Sequence, residues 1–140
     1  MQVLNLERTL TELDHVRLTK LLRRHKVDGT ALSLALPSED VLDWAFVVPA
    51  REVSPDVVTM YSQVLLRNLA TNERSNLTLC YPAHADANAG LVSVLSPAGW
   101  SLLGLQAGSI AHWTTPRGEQ GSAEILAILY QPESSGDYAM

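Results

Sequence analysis

The amino-acid sequence predicts an α+β protein in which helices come first and a sheet follows. Apolar residues recur at three- and four-residue intervals from about residue 7 to 24, which is the spacing of an amphipathic helix. After residue 49 the pattern changes to short alternating segments separated by Gly, Pro, Asn and Asp, which is typical of strands and turns. We therefore divide the chain into a helical part over 1–48 and a sheet domain over 49–140.

The helical part is predicted to be a short antiparallel hairpin. Its first arm covers residues 7–24, and Gly29 marks the turn. The second arm covers about Pro37 to Phe46, because Pro suits the first turn of a helix, and Glu39 and Asp40 are favourable near the positive end of the helix dipole. Pro37 also interrupts the apolar segment before it, so we expect this arm to be short or kinked.

The sheet domain is predicted to contain several short strands and one helix. Ser96-Pro97 indicates the helix start, because a Ser side chain can accept an unpaired amide hydrogen bond and Pro has no N–H to satisfy. The apolar turn after it ends at Gly104, and the chain beyond residue 130 is expected to be loosely held. The predicted strands cover residues 57–69, 77–81, 91–95, 110–114 and 123–130.

Composition limits the class of protein. A chain of 140 residues with 46% hydrophobic and 18% charged residues can bury a core without metals or disulfides. Its single cysteine cannot form an internal disulfide, the N-terminus lacks a signal-peptide pattern, and no apolar run approaches the roughly 18–20 residues that span a bilayer. We therefore expect a cytoplasmic protein. Each of its three tryptophans could anchor an interface, but packing in or near the core is favoured.

Charge is unevenly distributed along the chain. Residues 1–28 carry six basic and four acidic groups, whereas the remainder carries four basic and eleven acidic groups, for a net charge of −5. An acidic body disfavours free nucleic acid as the main partner. The basic stretch from Arg17 to Lys26 has two interpretations: a solvated helix face, or a contact with an acidic partner or nucleic acid.

The sequence predicts no enzymatic site. The segment from Gly99 to Leu103 lacks the second glycine of a nucleophile elbow, so Ser101 is expected to be structural, and Cys80 is expected to be a small semi-buried strand residue. The histidines occur singly; His84 and Asp86 could face one way, but a solvated loop is favoured. Nucleotide-binding glycine motifs are absent. We therefore predict no catalytic residue, metal or cofactor.

Several strings in order resemble one known family from about residue 50 to the end. They are Asp56–Met60, Tyr81-Pro82, Gly90–Pro97, Leu102–Leu105, Tyr130–Glu133 and Gly136–Tyr138. Together they resemble the Rnk (regulator of nucleoside diphosphate kinase) family. The Gly90–Pro97 segment and the helix after it also resemble the C-terminal domain of the Gre factors, which implies an FKBP-like fold. The chain departs from the usual pattern at Tyr61, where Asn is common, at Trp100, and at Ser109.

The resemblance implies a monomer that docks on RNA polymerase at the mouth of its secondary channel and competes with Gre factors. It places the contact at the strand-to-helix corner: Ser96 and Pro97 are the first candidates, and Gly99 and Leu103 support the corner's shape. A helix cap alone would also explain Ser96 and Pro97.

The hairpin tip decides which activity the resemblance implies. In Gre factors a long coiled coil carries acidic tip residues that help position a catalytic metal. Here the predicted turn has Lys26 and Asp28 but no second acid, and an arm of about 18 residues rises only about 27 Å. We therefore expect a non-enzymatic regulator. The alternatives are a factor that stimulates transcript cleavage and, from the family name, an indirect effect on nucleoside diphosphate kinase.

Overall fold

The computed structural model describes residues 8–27, 40–115 and 117–137. Within these ranges the helices are α1 (Glu12–Val27), α2 (Asp40–Trp44) and α3 (Pro97–Leu102). The strands are β1 (Thr9–Thr11), β2 (Phe46–Val48), β3 (Gln63–Asn68), β4 (Arg74–Cys80), β5 (Leu91–Ser93), β6 (Ile110–Thr114) and β7 (Gln120–Tyr130). The predicted α+β class is confirmed, and none of the described helices is long and apolar enough to cross a membrane.

The first helix begins later than its apolar pattern predicted. Residues 9–11 form β1, which pairs in parallel with β2. The Thr9 N–H also donates to the Gly104 carbonyl at 2.9 Å, so contacts distant in sequence hold this segment extended. The Thr11 hydroxyl then accepts the Asp14 N–H at 3.1 Å and starts α1. The prediction of a helix from residue 7 is therefore wrong for residues 9–11.

The described portion of the second predicted arm is short. The helix covers Asp40–Trp44, and Phe46 belongs to β2 because its backbone pairs with β1. The prediction of a helix to Phe46 is therefore wrong at its end. Gly29 and Pro37 lie outside the described residues, so the hairpin itself stays a prediction.

The main sheet has five strands in the order β5-β4-β3-β7-β6. All its pairs are antiparallel except β4–β5, which is parallel. The predicted strand over 57–69 is wrong in its first half, because the chain turns at Tyr61, whose φ is +65°. This left-handed conformation costs a non-glycine residue about 1 kcal/mol, and it separates the buried segment Val57–Met60 from β3.

A single group of buried apolar side chains joins the helices to the sheet. Leu18 and Leu22 of α1 and Leu42 of α2 belong to the same cluster as Val64 of β3 and Ile125 of β7. Burial of each such side chain contributes about 1.5–3 kcal/mol. The helical part and the sheet therefore share a core, and the proposed boundary at residues 48 and 49 stays a prediction.

The tryptophans do not all pack as predicted. Trp100 is buried in the core, and Trp113 is partly buried against it. Trp44, however, is 84% exposed, so its predicted core position is wrong. It lies two positions after the buried Leu42 in α2, and positions two apart lie on different faces of a helix.

The chain after β7 is held more firmly than predicted. Gln131 is buried, and its side-chain amide donates to the carbonyls of Ser54 and Val57 at 2.8 and 2.9 Å. Residues Glu133–Ser135 then form a 3₁₀ turn. The prediction of a loose tail is therefore wrong for residues 131–137, because the side chains of Gln131 and Glu133 bond to residues before β3.

Candidate functional site

The corner between β5 and α3 is built around the Ser96 hydroxyl. This oxygen accepts the Gly99 N–H at 3.1 Å and donates to the Ser93 carbonyl at 2.7 Å. Pro97 follows as the first helical residue, where its missing N–H has no cost. The predicted cap is confirmed, and it fixes the direction in which the chain leaves β5.

Gly99 and Leu103 shape this corner from inside. A Cβ at Gly99 would lie 2.2 Å from the Ser93 carbonyl oxygen, so any side chain there would force the backbone apart. Leu103 is completely buried. Ser96 and Pro97 are partly exposed, so of the four predicted residues these two can face a partner.

Arg8 is a supporting residue that sequence analysis missed. Its Nη1 donates to the carbonyls of Trp100 and Leu103 at 2.8 and 2.9 Å, at the C-terminal end of α3. Burial lowers the pKa of Arg8, yet a guanidinium remains charged in proteins. The interaction joins residues more than 90 positions apart, and no local pattern signals it. It fastens the residue before β1 to the C-terminal end of α3.

A buried carboxyl group connects α1 to the turn before β3. Asp14 is 1% exposed, and its Oδ2 accepts the Met60 N–H at 3.2 Å. The pKa of Asp14 is raised to about 6: burial is the largest cause and the negative charge of Glu133 adds to it, whereas the hydrogen bonds with Met60 and Thr11 and the charge of Arg17 lower it. Glu133 in turn accepts a hydrogen bond from the Thr59 hydroxyl at 2.7 Å.

A groove of about 910 Å³ runs between α1 and the chain at the end of β4. The α1 wall carries Arg17, Lys20, Leu21 and Arg24. The opposite wall is Tyr61, Tyr81 and the turn 82–84. We call this the basic groove. Sequence analysis identified the basic stretch of α1 but not the tyrosines opposite it, because they are brought there by the sheet.

The tyrosines of the basic groove are linked to each other and to His84. The rings of Tyr61 and Tyr81 lie 5.8 Å apart at 60°, and the Tyr61 hydroxyl shares a hydrogen bond with His84 Nδ1. Burial, followed by the charge of Asp14, raises the pKa of Tyr81 to about 12, while Arg17 lowers it. The Tyr81 hydroxyl is buried and makes no hydrogen bond of regular geometry within the described ranges.

The residues considered for catalysis have structural roles. The Ser101 hydroxyl donates to the Ala98 carbonyl at 2.6 Å within α3. Cys80 is buried, and burial raises the pKa of its thiol, which disfavours the reactive thiolate. Asp86 caps the short 3₁₀ turn Ala87–Ala89 by accepting the Asn88 N–H, and His84 is exposed beside it.

The predicted hairpin tip lies at the limit of the described chain. Lys26 belongs to the last turn of α1, and Asp28 lies outside the described residues. In the part of the chain that the structure describes, no three His, Cys, Asp or Glu side chains are grouped as metal ligands.

Sequence comparisons agree with the resemblance. Residues 53–130 match the family model described as the C-terminal domain of the transcription elongation factors GreA and GreB. The Escherichia coli K12 protein named regulator of nucleoside diphosphate kinase is 39% identical over 131 residues, which are 94% of this chain and 95% of that protein. GreA of Chlorobium limicola is 36% identical over 92 residues, covering 65% of this chain and 57% of GreA.

A solved structure extends the similarity to the fold. The GreA/GreB elongation factor of Nitrosomonas europaea is 35% identical, with a TM-score of 0.68 over 89% of this chain and 100% of that one. The chain therefore belongs to the same family as the E. coli regulator of nucleoside diphosphate kinase and carries the C-terminal domain of the transcription elongation factors GreA and GreB.

Proposed function

We propose that this protein is an RNA-polymerase-binding regulator of transcript elongation that occupies the Gre-factor site at the rim of the secondary channel without stimulating transcript cleavage. It would act in the cytoplasm as a monomer. The observation that carries this proposal is the fixed β5–α3 corner, which lies inside the region matched to GreA and GreB. The FKBP-like description of the sheet domain belongs to the same proposal.

The corner suits a docking role because its shape is set before binding. Ser96 makes two hydrogen bonds, Gly99 allows the close approach of Ser93, and Arg8 holds the far end of α3. A surface that is already ordered loses little conformational entropy when it binds. Ser96 and Pro97 are the parts of this arrangement that face outward, so we assign the polymerase contact to them.

The proposed lack of cleavage activity is supported by the helical part. The 16 residues of α1 rise only about 24 Å at 1.5 Å per residue. Between Leu18 and Ser38 the sequence contains a single acid, Asp28, with Lys26 two residues away. Because Mg²⁺ is held by carboxylate oxygens and a nearby cation competes with it, this tip is poorly suited to positioning a metal.

Docking is tested by competition for core RNA polymerase between the labelled protein and a Gre factor. We expect displacement by the Gre factor and at least about tenfold weaker binding of a Ser96→Ala/Pro97→Ala variant whose folding is verified. Asp86→Ala is the matched control, because it removes a cap of the same kind at another turn. Ser96→Thr separates the two roles of Ser96, since the Thr hydroxyl can still accept the Gly99 N–H and donate to the Ser93 carbonyl, while its methyl group changes the surface.

Weak binding by a folded Ser96→Thr variant would support a contact at the corner. Equal binding by all four proteins would show that the corner is structural. If the wild type did not bind polymerase, the proposal would be wrong.

Transcript cleavage by a stalled polymerase distinguishes the proposal from its alternative. We expect no increase in cleavage when the protein is added, and a Gre factor serves as the positive control. Stimulated cleavage that disappears with Asp28→Asn would instead identify an active cleavage factor with Asp28 at its tip.

A further inference from the structure

The basic groove combines an apolar floor with a cationic rim. Leu21, Tyr61 and Tyr81 line the groove together with Pro82 and Ala83, while Lys20 and Arg24 lie on the α1 side and are exposed. Arg17 lies in the same wall, partly buried. No Asp or Glu is among the described residues that line the groove. An apolar channel beside positive charge is complementary to a segment that carries both apolar and acidic side chains.

The arrangement of the cations indicates what kind of anion fits. Residues 17, 20 and 24 are three and four positions apart, so they form a row about 10 Å long on one side of α1. A row of cations matches carboxylates spread along a peptide better than a single phosphate, which needs donors converging on one point. About three or four residues of extended chain would span the row.

Tyr61 is the strongest sign that the groove has a role. Its φ of +65° is a conformation that bulky residues rarely adopt and that Asn accepts readily. The strained backbone places an aromatic ring in the groove, where it contacts Tyr81 and shares a hydrogen bond with His84. Backbone strain in a folded protein is concentrated at functional positions, and here it supports the aromatic wall of the groove.

We propose that the basic groove is a second docking surface for RNA polymerase and that it binds a polymerase segment of apolar and acidic residues. This inference rests on the proposed function and adds a contact separate from Ser96 and Pro97. A protein segment is favoured over single-stranded RNA because the chain has a net charge of −5 and the groove offers a row of cations rather than an extended basic surface.

The test compares two charge reversals on the same helix. Arg24→Glu alters the groove, whereas Arg23→Glu makes the same change at an exposed neighbour outside it. We expect Arg24→Glu to weaken binding to core RNA polymerase about tenfold at low salt, with a smaller difference at high salt, and Arg23→Glu to change it less than about twofold.

Tyr61→Asn tests the apolar wall without harming the backbone, because Asn tolerates the positive φ. We expect a thermal midpoint close to that of the wild type, together with several-fold weaker polymerase binding. A second measurement uses a labelled single-stranded RNA oligonucleotide with the free protein, because RNA is the competing ligand.

The binding measurements on these variants either support or overturn the groove inference. Loss of polymerase binding in Arg24→Glu and Tyr61→Asn, but not in Arg23→Glu, would support it. Equal effects of the two charge reversals would overturn the groove inference. The corner proposal would stand if the Ser96→Ala/Pro97→Ala variant still bound polymerase weakly. Loss of RNA binding with unchanged polymerase binding would also overturn the groove inference and assign the groove to RNA. Failure of the wild type to bind polymerase would refute both proposals.

Discussion

Replacing Asp14 with asparagine tests how a buried carboxyl group controls the stability of this protein. The side chain is 1% exposed and accepts one backbone hydrogen bond, from Met60. Its pKa is raised from 3.8 to about 6, because burial and the charge of Glu133 outweigh the hydrogen bonds with Met60 and Thr11, which lower it. At neutral pH the folded protein therefore holds an unfavourable negative charge where α1 meets the turn before β3.

The size of the effect follows from the shift in pKa. A rise of about 2 units corresponds to about 3 kcal/mol, as an upper limit. Between about pH 4 and 6 the folded protein binds more protons than the unfolded chain. The free energy of unfolding that protonated Asp14 contributes at low pH therefore decreases through this range and is lost above about pH 6. Asn is neutral throughout this range, and its amide oxygen can accept the Met60 hydrogen bond.

Urea denaturation of the wild type and Asp14→Asn at several pH values between about 4 and 7 measures this difference. The free energy of unfolding of the variant relative to the wild type should increase with pH, by up to about 3 kcal/mol, and level off above about pH 6.5. Glu12→Gln is the matched control, because it makes the same kind of change at an exposed carboxyl in the same helical turn. If the difference in free energy of unfolding between Asp14→Asn and the wild type did not vary with pH, a buried Asp14 with a raised pKa would be refuted.

Three further substitutions test the contacts that hold the corner and the tail. Arg8→Ala removes the donor to two α3 carbonyls and should lower the free energy of unfolding in urea by about 2–3 kcal/mol, with partial recovery in Arg8→Lys. Gly99→Ala should lower the thermal midpoint, opposite to the usual helical preference for Ala, because its Cβ would meet the Ser93 carbonyl. Gln131→Met should cost about 2 kcal/mol and speed amide hydrogen exchange in the loop 54–57. Unchanged stability in any of the three would contradict the corresponding contact.

Features that depend on neighbours in the chain could be predicted from the sequence. The Ser96 cap and the position of Pro97 were predicted because capping involves residues only three positions apart. The strand over 110–114 was also predicted correctly, since alternation is visible within a few residues. The order of family-like strings was specific enough to identify the family.

Other features were decided by contacts between distant parts of the chain. Residues 9–11 are extended because they meet β2 and Gly104, although their apolar spacing continues that of α1. Gln131 orders the tail through a bond to a loop more than 70 positions earlier. The intrinsic preference of a residue for helix or strand is a small free energy. Contacts that bury side chains or complete backbone hydrogen bonds therefore override it.

The sequence by itself determined the fold class, the family and the cap at the β5–α3 corner, because each depends on local order or on a series of short strings. Only the tertiary structure decided that Arg8 holds the C-terminal end of α3, that Asp14 is buried, and that Tyr61 faces α1 across the basic groove. The physical reason is that burial and long-range hydrogen bonds arise when the sheet and α1 pack together, and no spacing along the chain records which side chains then meet.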